Sequence, residues 1–260
     1  MRVLDCDRQG LPQLCGVVFS ELGLSPVCLE IGVLRGSNAE FIYKTLKPQT
    51  MHLMDLWQSE PIMEKISSNA HRHWVSKPEN AEKYYGGPLD EQKTFDRLFK
   101  ETKNRFLGQE NVKFHRGNSV DRLTQLRHSI GNKSLDYAYI DGAHDYEAVF
   151  DDLMYVEPLL KDNSFLQLND CCFSVAALQQ NIGVLEAVSK FIKLKNFQAI
   201  ALTKTDFTDL LLCPKDSVYK SMLNNVINRA GVGYFEIPSQ LLPSLNVSVN
   251  RNNYACLSFV

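Results

Sequence analysis

Two short stretches of the sequence combine carboxylates with an imidazole. Y-I-D-G-A-H-D-Y-E contains Asp141 and His144, and L-N-D-C-C contains Asp170. Both aspartates follow apolar runs that predict strands, so we expect them at the same edge of a parallel sheet. Two carboxylates there favour a hard divalent cation such as magnesium. A neutral imidazole is a suitable general base near neutral pH, so His144 is the candidate base and Asp141 its candidate catalytic partner.

Each of these residues also has a structural interpretation. Aspartates that follow strands often cap the next helix, and both Asp141 and Asp170 could do only that. His144 could cap the helix predicted to follow it, or bind a backbone group. The position of both acids at the ligand-binding edge of the sheet favours the functional interpretation.

Two glycines and an acid mark the end of the first predicted strand in the main alternating pattern. In C-L-E-I-G-V-L-R-G-S, Glu30 ends an apolar run and Gly32 and Gly36 follow it. A glycine there lets the backbone approach a ligand, because no Cβ intrudes. The spacing E-x-G-x-x-x-G is looser than the G-x-G-x-x-G fingerprint of dinucleotide binding. Asp55 ends the next strand, and the two acids together favour a nucleoside ligand; the alternative is that Asp55 caps the next helix.

The elements that must position these residues alternate between strand and helix. This alternation predicts an α/β fold with a doubly wound, mostly parallel sheet that is covered by helices on both faces. Two further strands joined by a turn bring the predicted number of strands to seven. The predicted strands are 27–31, 51–56, 112–115, 135–140, 164–168, 197–202 and 209–213, and the predicted helices are 10–24, 37–46, 89–106, 120–130, 146–160 and 183–193.

Residues 58–88 interrupt this alternation with a polar stretch that contains prolines and glycines. The stretch is too long for an ordinary connection in a compact domain, so it is predicted to be a lid or substrate-binding insertion. A surface elaboration used for dimer contacts is the alternative. We predict one domain over 1–214 that carries this insertion, and a C-terminal extension over 215–260 that packs on the same domain.

Composition excludes several classes of protein. The net charge of −2 indicates no polyanion-binding surface, which argues against a nucleic-acid partner. The seven cysteines are scattered and form no C-x-x-C motif, which fits a reducing compartment. No apolar run approaches the ~18 residues of a membrane span, and the N-terminal residues lack the apolar core of a signal peptide. A cytoplasmic protein with no membrane partner is therefore expected.

The quoted stretches resemble the motifs of a known family. E-I-G-V-L-R-G-S and H-L-M-D-L-W resemble the first and second motifs of class I S-adenosylmethionine-dependent methyltransferases, and the resemblance covers roughly residues 26–213. It implies a Rossmann-like sheet whose last two strands form an antiparallel hairpin, with S-adenosylmethionine as cofactor. Gly32 would lie behind the methionyl part, and Asp55 would bind the ribose. H-R-G-N-S stands at the position of the third motif, where Asn118 replaces an acid. Its carbonyl oxygen would accept a hydrogen bond from the adenine amino group. The cofactor-binding set that the resemblance implies is Glu30, Gly32, Arg35, Gly36, Ser37, Asp55, Leu56, Gly117, Asn118, Ser119 and Asp141.

Y-I-D-G-A-H-D-Y-E is a more specific match within that family. It resembles the metal-assisted O-methyltransferases that modify sugars and antibiotics, the macrocin O-methyltransferase-like group or methyltransferase family 24. The resemblance implies that Asp141 and Asp170 bind magnesium and that His144 occupies the position of the base. Cys171 departs from the pattern, because a thiol is a poor magnesium ligand where a second acid or an amide is expected. Asp145 is an alternative third ligand, although it also suits the N-cap of the next helix.

Aromatic residues in and beside the insertion are predicted to line a pocket for the methyl acceptor, because aromatic faces stack on sugars and planar molecules. The predicted substrate-binding residues are Trp57, Trp74, Tyr84, Tyr85, His144 and Asp145.

The sequence therefore predicts methyl transfer from S-adenosylmethionine to a hydroxyl of a small molecule, a sugar or natural product. The resemblance also implies a homodimer. A non-catalytic module that holds a nucleoside or a partner protein is an alternative, supported by Asn118 and Cys171. An N-methyltransferase and a nicotinamide-dependent oxidoreductase are lesser alternatives, and the glycine spacing argues against the latter.

Overall fold

A computed structural model describes residues 1–68, 78–252 and 254–259. Eleven strands and ten α-helices lie within these ranges, together with 3-10 turns at Glu157–Leu159 and Ser239–Ser244. The strands are β1 (Arg2–Leu4), β2 (Val27–Ile31), β3 (Thr50–Asp55), β4 (Val112–Arg116), β5 (Leu135–Ile140), β6 (Leu160–Leu168), β7 (Phe197–Thr203), β8 (Leu210–Pro214), β9 (Tyr234–Glu236), β10 (Asn246–Val249) and β11 (Ala255–Ser258). The helices are α1 (Gly10–Glu21), α2 (Ser37–Leu46), α3 (Ser59–Ser68), α4 (Pro78–Tyr85), α5 (Gln92–Arg105), α6 (Ser119–Ile130), α7 (Tyr146–Val156), α8 (Val175–Gln179), α9 (Val184–Leu194) and α10 (Tyr219–Ala230).

The main sheet of the described chain has the strand order β4-β3-β2-β5-β6-β8-β7-β1-β9. Strands β4, β3, β2, β5 and β6 are parallel, and β8 runs antiparallel to both β6 and β7. The predicted α/β class and mostly parallel sheet are thus confirmed, and residues 197–213 supply the antiparallel pair β7 and β8. The predicted number of seven strands is wrong. The sheet has nine, because β1 pairs in parallel with β7 and β9 pairs antiparallel to β1.

Two apolar cores cover the two faces of the sheet. Successive residues of β5 point to opposite faces, so Ala138 and Ile140 belong to one core and Tyr137 and Tyr139 to the other. The first core packs under α6, α7 and α9, and the second under α1, α2, α5 and α10. Burial on both faces explains why the central strands are nearly continuous apolar runs.

The predicted helix over 146–160 is shorter in the structure. Helix α7 ends at Val156, a 3-10 turn follows, and β6 already begins at Leu160, before the predicted start at Ser164. Residues 160–163 are mostly polar or exposed, so the apolar pattern did not predict this part of the strand.

The region 58–88 contributes helices α3 and α4, and both contact α5. Trp74 lies outside the described residues. After residue 214, α10 contacts α1, and β9 extends the main sheet, while β10 and β11 form a separate antiparallel pair. Within the described ranges, no helix is both long enough and apolar enough to cross a membrane.

Candidate active site

Backbone hydrogen bonds beyond the strand ends hold the carboxyl edge of the central sheet together. They join the turns that follow β2, β5 and β6 to the neighbouring strands, so the acids that follow these strands are brought to one place. The N–H groups of Gly32, Asp141 and Asn169 donate to the carbonyl oxygens of Met54, Ile31 and Ile140, at 2.9, 2.8 and 3.0 Å.

Asp141, His144 and Asp170 form a cluster at this edge. The Nε2 atom of His144 lies 3.2 Å from Oδ2 of Asp170 and 3.6 Å from Oδ1 of Asp141. Both aspartate side chains are mostly buried, with 18% exposed, and 22% of the imidazole is exposed. The backbone of this loop is anchored because the His144 carbonyl accepts a 2.7 Å hydrogen bond from the N–H of Gly183. The structure therefore brings the three predicted residues together.

The backbone at Asp170 is unusual. Its φ of +55° lies in the left-handed region, which costs a non-glycine residue free energy and is often found at functional sites. This conformation follows directly after β6 and turns the chain toward Cys171.

A buried carboxylate that was not predicted lies beneath this cluster. Asp209 precedes β8 and has no exposed surface. Its Oδ2 accepts from the Tyr139 hydroxyl at 3.1 Å and from Nε2 of Gln167 at 2.7 Å, and its Oδ1 accepts from Nδ2 of Asn169 at 2.9 Å. Burial raises the pKa of Asp209 to about 6, against the opposing effect of these hydrogen bonds. The only sequence signal for it is an acid next to an apolar strand.

The acids of the site raise one another's pKa. Burial raises the pKa of Asp170 to about 7, the negative charge of Asp209 adds to the rise, and the charge of Arg8 lowers it. Burial also raises the pKa of Asp141 well above its usual value, Arg8 opposes that rise, and the neighbouring acids add to it. The edge of the sheet thus concentrates negative charge in surroundings where it is poorly solvated.

Arg8 is the cation of this site, and sequence reasoning missed it. Its Nη1 lies 3.4 Å from Oδ2 of Asp141, and 46% of its side chain is exposed. It precedes α1, and its carbonyl oxygen accepts a 3.3 Å hydrogen bond from Nε2 of Gln167. The available signal was the short strand β1, Arg2–Leu4, which ends four positions before Arg8, but three residues are too few to show a period.

Asp55 holds the loop that follows β2. Its Oδ2 accepts from the N–H of Leu34 at 2.7 Å, and its Oδ1 accepts from the N–H of Trp57 at 3.1 Å. Burial raises the pKa of Asp55, and the backbone N–H groups partly offset this rise. Each carboxylate oxygen can accept more than one hydrogen bond, so ribose hydroxyls can still bind here. The predicted ribose-binding role therefore fits this side chain.

The two glycines also have a structural reason within the chain. A Cβ at Gly32, whose φ is +88°, would lie 1.9 Å from the carbonyl oxygen of Asp141. A Cβ at Gly36, whose φ is +76°, would lie 2.9 Å from the Thr102 side chain. Contact of the chain with itself therefore requires glycine at these positions, whatever ligand binds next to them.

Glu30 is fully buried behind this loop. Its Oε1 accepts from Nδ2 of Asn38 at 3.0 Å, whereas its Oε2 has no hydrogen-bond partner among the described residues. Burial raises the pKa of Glu30 to about 8. An unpaired buried oxygen behind the cofactor loop is compatible with a polar ligand group or a water there.

The other predicted cofactor residues lie around the same edge and mostly have structural partners. Arg35 donates from Nη2 to the Tyr84 carbonyl at 2.5 Å. Asn118 caps α6, and its Oδ1 accepts from the N–H of Val120 at 3.0 Å, which occupies one lone pair of the oxygen predicted to bind adenine. Ser37 and Ser119 begin α2 and α6, Leu56 follows β3, and Gly117, with φ +135°, packs against the Arg122 guanidinium.

The predicted acceptor residues separate into two groups. Tyr84 is 50% exposed near the end of α4, and burial, followed by the charge of Asp141 and with a further contribution from Asp170, raises its pKa. Tyr85 packs its ring on Tyr84 and Phe95 instead.

Trp57 and Asp145 are corrections. Trp57 has no exposed surface, and its Nε1 donates to the Leu34 carbonyl at 2.8 Å, so it is part of the core and not a pocket wall. Its φ of +42° turns the chain after β3 and directs the indole inward. Asp145 is buried and caps α7, where its Oδ1 accepts from the N–H of Ala148 at 3.1 Å, so the structural interpretation of this residue is the right one.

The predicted metal site lacks a third ligand. Cys171 is fully buried in the apolar core, and burial raises its pKa well above the usual value, so it is a neutral thiol. Asp145 uses its Oδ1 to cap α7. In the part of the chain that the structure describes, no group of three or more His, Cys, Asp or Glu side chains is arranged to hold a metal ion. Asp141 and Asp170 alone do not fit the predicted magnesium site.

Comparison with known proteins identifies a family. Residues 29–171 match a family described as "Methyltransferase domain". No curated protein sequence matches the chain.

Solved structures share the fold at low sequence identity. The O-methyltransferase TomG from Streptomyces achromogenes, involved in tomaymycin synthesis and solved in complex with SAM, is 12% identical with a TM-score of 0.51, over 80% of this chain and 81% of that one. A protein from Staphylococcus aureus assigned as a caffeoyl-CoA O-methyltransferase is 11% identical with a TM-score of 0.51, over 81% and 86%. A spermidine synthase in complex with a transition-state analogue is 10% identical with a TM-score of 0.50, over 82% and 64%. The fold is therefore shared by enzymes of different reactions, and the family match over more than half of the chain decides its membership: the chain belongs to the class I S-adenosylmethionine-dependent methyltransferases.

Proposed function

We propose that this methyltransferase acts on a hydroxyl group of a small molecule, a sugar or a natural product, and that His144 is the general base. The observation that supports the proposal is the position of the His144 imidazole, 3.2 Å from Asp170 and 3.6 Å from Asp141 at the carboxyl edge of the sheet. A base held by carboxylates is what a hydroxyl acceptor with a high pKa needs, because it must lose its proton as the new bond forms.

The carboxylates would orient the base. A proton on Nε2 of His144 that is shared with Asp170 leaves the basic lone pair on Nδ1, which then accepts the acceptor's hydroxyl proton. When bound, S-adenosylmethionine supplies an electrophilic methyl group, and its transfer forms the oxygen–carbon bond and breaks the carbon–sulfur bond. The imidazolium that results would be stabilised by Asp141 and Asp170, which both lie within 3.6 Å of Nε2.

The loops after β2 and β3 would hold the cofactor. Asp55 is fixed by the N–H groups of Leu34 and Trp57, so its remaining lone pairs are preorganised to accept ribose hydroxyls. The N-terminus of α2 begins next to this loop, with Gly36 as the N-cap residue. No step is assigned to a metal, because the two available carboxylates do not complete a ligand set.

Helix α4 would close the acceptor side. Arg35 binds the Tyr84 carbonyl at 2.5 Å, which ties α4 to the loop after β2 and would keep the Tyr84 ring on the acceptor side. Because an aromatic ring beside a base is a common feature of pockets for sugars and planar acceptors, this contact supports a small-molecule acceptor.

The test combines cofactor binding with turnover. S-adenosylmethionine binding is measured by calorimetry, and release of S-adenosylhomocysteine is measured with a panel of sugars, glycosides and phenols. For the acceptor that responds, His144→Gln should lower kcat on the order of 100- to 10,000-fold, because the variant lacks a base. Cofactor affinity should stay within about threefold, because His144 is not among the residues predicted to bind it.

His128→Gln is the matched control. His128 is exposed in the last turn of α6, away from the cluster, so the same substitution there should leave kcat and cofactor affinity unchanged. Wild-type turnover in His144→Gln would rule out His144 as the base. If the wild-type protein binds the cofactor but never consumes it with any acceptor, the non-catalytic interpretation takes the place of this proposal.

A further inference from the structure

Three carboxylates lie close together at the carboxyl edge of the sheet, and their negative charge needs a positive charge nearby. Asp141 and Asp170 both lie within 3.6 Å of one imidazole nitrogen, and the buried Asp209 accepts a hydrogen bond from Asn169, next to Asp170. In a poorly solvated site, three carboxylates oppose one another's ionisation. Something positive must offset them if Asp141 and Asp170 are to remain charged partners of His144.

A divalent cation is poorly suited to that task here. Nε2 of His144 lies close to both carboxylates, 3.2 Å from Asp170 and 3.6 Å from Asp141. The nearby residues that could complete a ligand set are used otherwise, since Cys171 is buried in the apolar core and Asp145 caps α7. Magnesium prefers near-ideal octahedral ligation by oxygen, and the atom that lies within 3.6 Å of both carboxylates is an imidazole nitrogen.

Arg8 already supplies a positive charge at this place. Its Nη1 lies 3.4 Å from Oδ2 of Asp141, the oxygen that does not face His144. Its charge also lowers the pKa of Asp141, Asp170 and Asp209, so the guanidinium acts on all three carboxylates. A guanidinium remains charged at every relevant pH.

The fold fixes the backbone of Arg8. The Arg8 carbonyl accepts from Nε2 of Gln167, the amide that also binds Asp209. On the N-terminal side, β1 is hydrogen-bonded between β7 and β9. On the C-terminal side, Oδ1 of Asp7 accepts from the N–H groups of Gln9 and Gly10 at 2.9 and 3.2 Å and shapes the turn that enters α1. Arg8 lies outside residues 29–171, the part that matches the family.

We infer that Arg8 is a positioning residue that takes the place of a divalent cation at the Asp141–Asp170 pair, so that methyl transfer by this protein is independent of metal. The inference rests on the proposed function, because it assumes that Asp141 and Asp170 act through His144. Arg8 does so by holding the Asp141 carboxyl group in place beside the imidazole through the 3.4 Å contact of its Nη1.

The test measures metal binding and turnover separately. Mn²⁺ binding is followed by electron paramagnetic resonance in the wild-type protein, Arg8→Lys and Arg8→Gln, with saturating S-adenosylmethionine. Wild-type and Arg8→Lys should bind Mn²⁺ equally weakly. Arg8→Gln should bind it roughly tenfold more tightly or better, because the carboxylates lose a nearby positive charge. A residue with a merely structural role would produce no such gain in affinity.

Two further variants define the result. Arg127→Gln removes an exposed guanidinium from α6 and should bind Mn²⁺ as the wild-type protein does. Asp141→Asn combined with Arg8→Gln should abolish the gained affinity. With the acceptor from the panel, EDTA should leave wild-type kcat unchanged, Arg8→Gln should lose it on the order of 100-fold, and Arg8→Lys should restore most of it.

Three outcomes would overturn the inference: tight Mn²⁺ binding by the wild-type protein, loss of its turnover in EDTA, or full turnover by Arg8→Gln. Failure of the proposed function would look different. In that case the wild-type protein would not bind or consume S-adenosylmethionine, while the Mn²⁺ titrations would still report whether Arg8 excludes a cation from the acids.

Discussion

Gly32 lies against the backbone of Asp141, so closely that a Cβ at position 32 would stand 1.9 Å from the Asp141 carbonyl oxygen. The turn after β2 and the turn after β5 are therefore packed on each other without room for a side chain. The loop predicted to hold the cofactor is thus packed directly against the loop that carries Asp141, the proposed partner of the base.

Gly32→Ala should destabilise the protein by more than its positive φ alone explains. An alanine in the left-handed region costs about 1–2 kcal/mol, and the collision with the Asp141 backbone adds to this. Gly108→Ala is the matched control, since φ there is +81° and nothing lies within 4 Å of the added Cβ. Chemical denaturation measures both free energies of unfolding. Equal losses would show that the turn after β5 can move away from position 32.

Glu30→Gln should become more stable than the wild-type protein as the pH rises. Burial raises the pKa of Glu30 from 4.5 to about 8 in the folded state, so its contribution to stability is fully present below pH 4.5 and is lost as the pH rises to about 8. The glutamine variant does not titrate there. The melting temperature of the variant should therefore rise relative to that of the wild-type protein from pH 4.5 to about 8, and the difference should then stay constant up to pH 9.

Glu40→Gln is the opposite control. Hydrogen bonds from Lys44 and Arg105 lower the pKa of Glu40, so the wild-type protein should lose its advantage over this variant as the pH falls below 4.5. If the difference in melting temperature between Glu30→Gln and the wild-type protein does not change with pH, the pKa of Glu30 is not raised in the folded protein.

Trp57→Phe should cost stability and leave acceptor binding unchanged. The substitution removes the hydrogen bond from Nε1 to the Leu34 carbonyl, which is worth about 1 kcal/mol, and reduces packing against Phe99. Trp57→Ala should cost about 3–5 kcal/mol. Urea unfolding and the acceptor KM distinguish the two roles of this residue. If these variants had wild-type stability but a raised acceptor KM, Trp57 would line the acceptor pocket after all.

Tyr84→Ala should raise the acceptor KM roughly tenfold with a smaller change in kcat, because the ring contributes contact area and not chemistry. Tyr84→Phe should retain most of the affinity if stacking dominates. Tyr155→Ala removes a similarly exposed ring from α7, far from the carboxyl edge, and should change neither constant. Steady-state kinetics with the acceptor from the panel provide both values. An unchanged KM in Tyr84→Ala would place the acceptor elsewhere.

The sequence was informative where burial imposes a long pattern. The strand Leu135–Ile140 is covered on both faces, so six consecutive residues are buried, and its position was predicted without error. Strands β1 and β9 have three residues each, which is too short for a period, and they exist only because they pair with each other and with β7. Such strands depend on partners far along the chain.

The candidate site divides in the same way. Asp141, His144 and Asp170 could be predicted because each follows a strand that the apolar pattern identifies. Arg8 could not, since its position at the site depends on β1. Trp57 was misinterpreted because an aromatic residue after a strand suits a pocket equally well, and the sequence pattern shows neither its positive φ nor its burial in the core.

The placement of β1 between β7 and β9 also has a consequence for how the protein is made. Val3 pairs with Leu202 and with Phe235, so the strand that leads to Arg8 has no place in the sheet until both of those residues have left the ribosome. Residues 29–171 can form their parallel strands earlier during synthesis, because those strands pair among themselves. Asp141 and Asp170 would then lie at the carboxyl edge for a time before the guanidinium of Arg8 is in place. The nascent chain would acquire its balance of charge as one of the last events of folding.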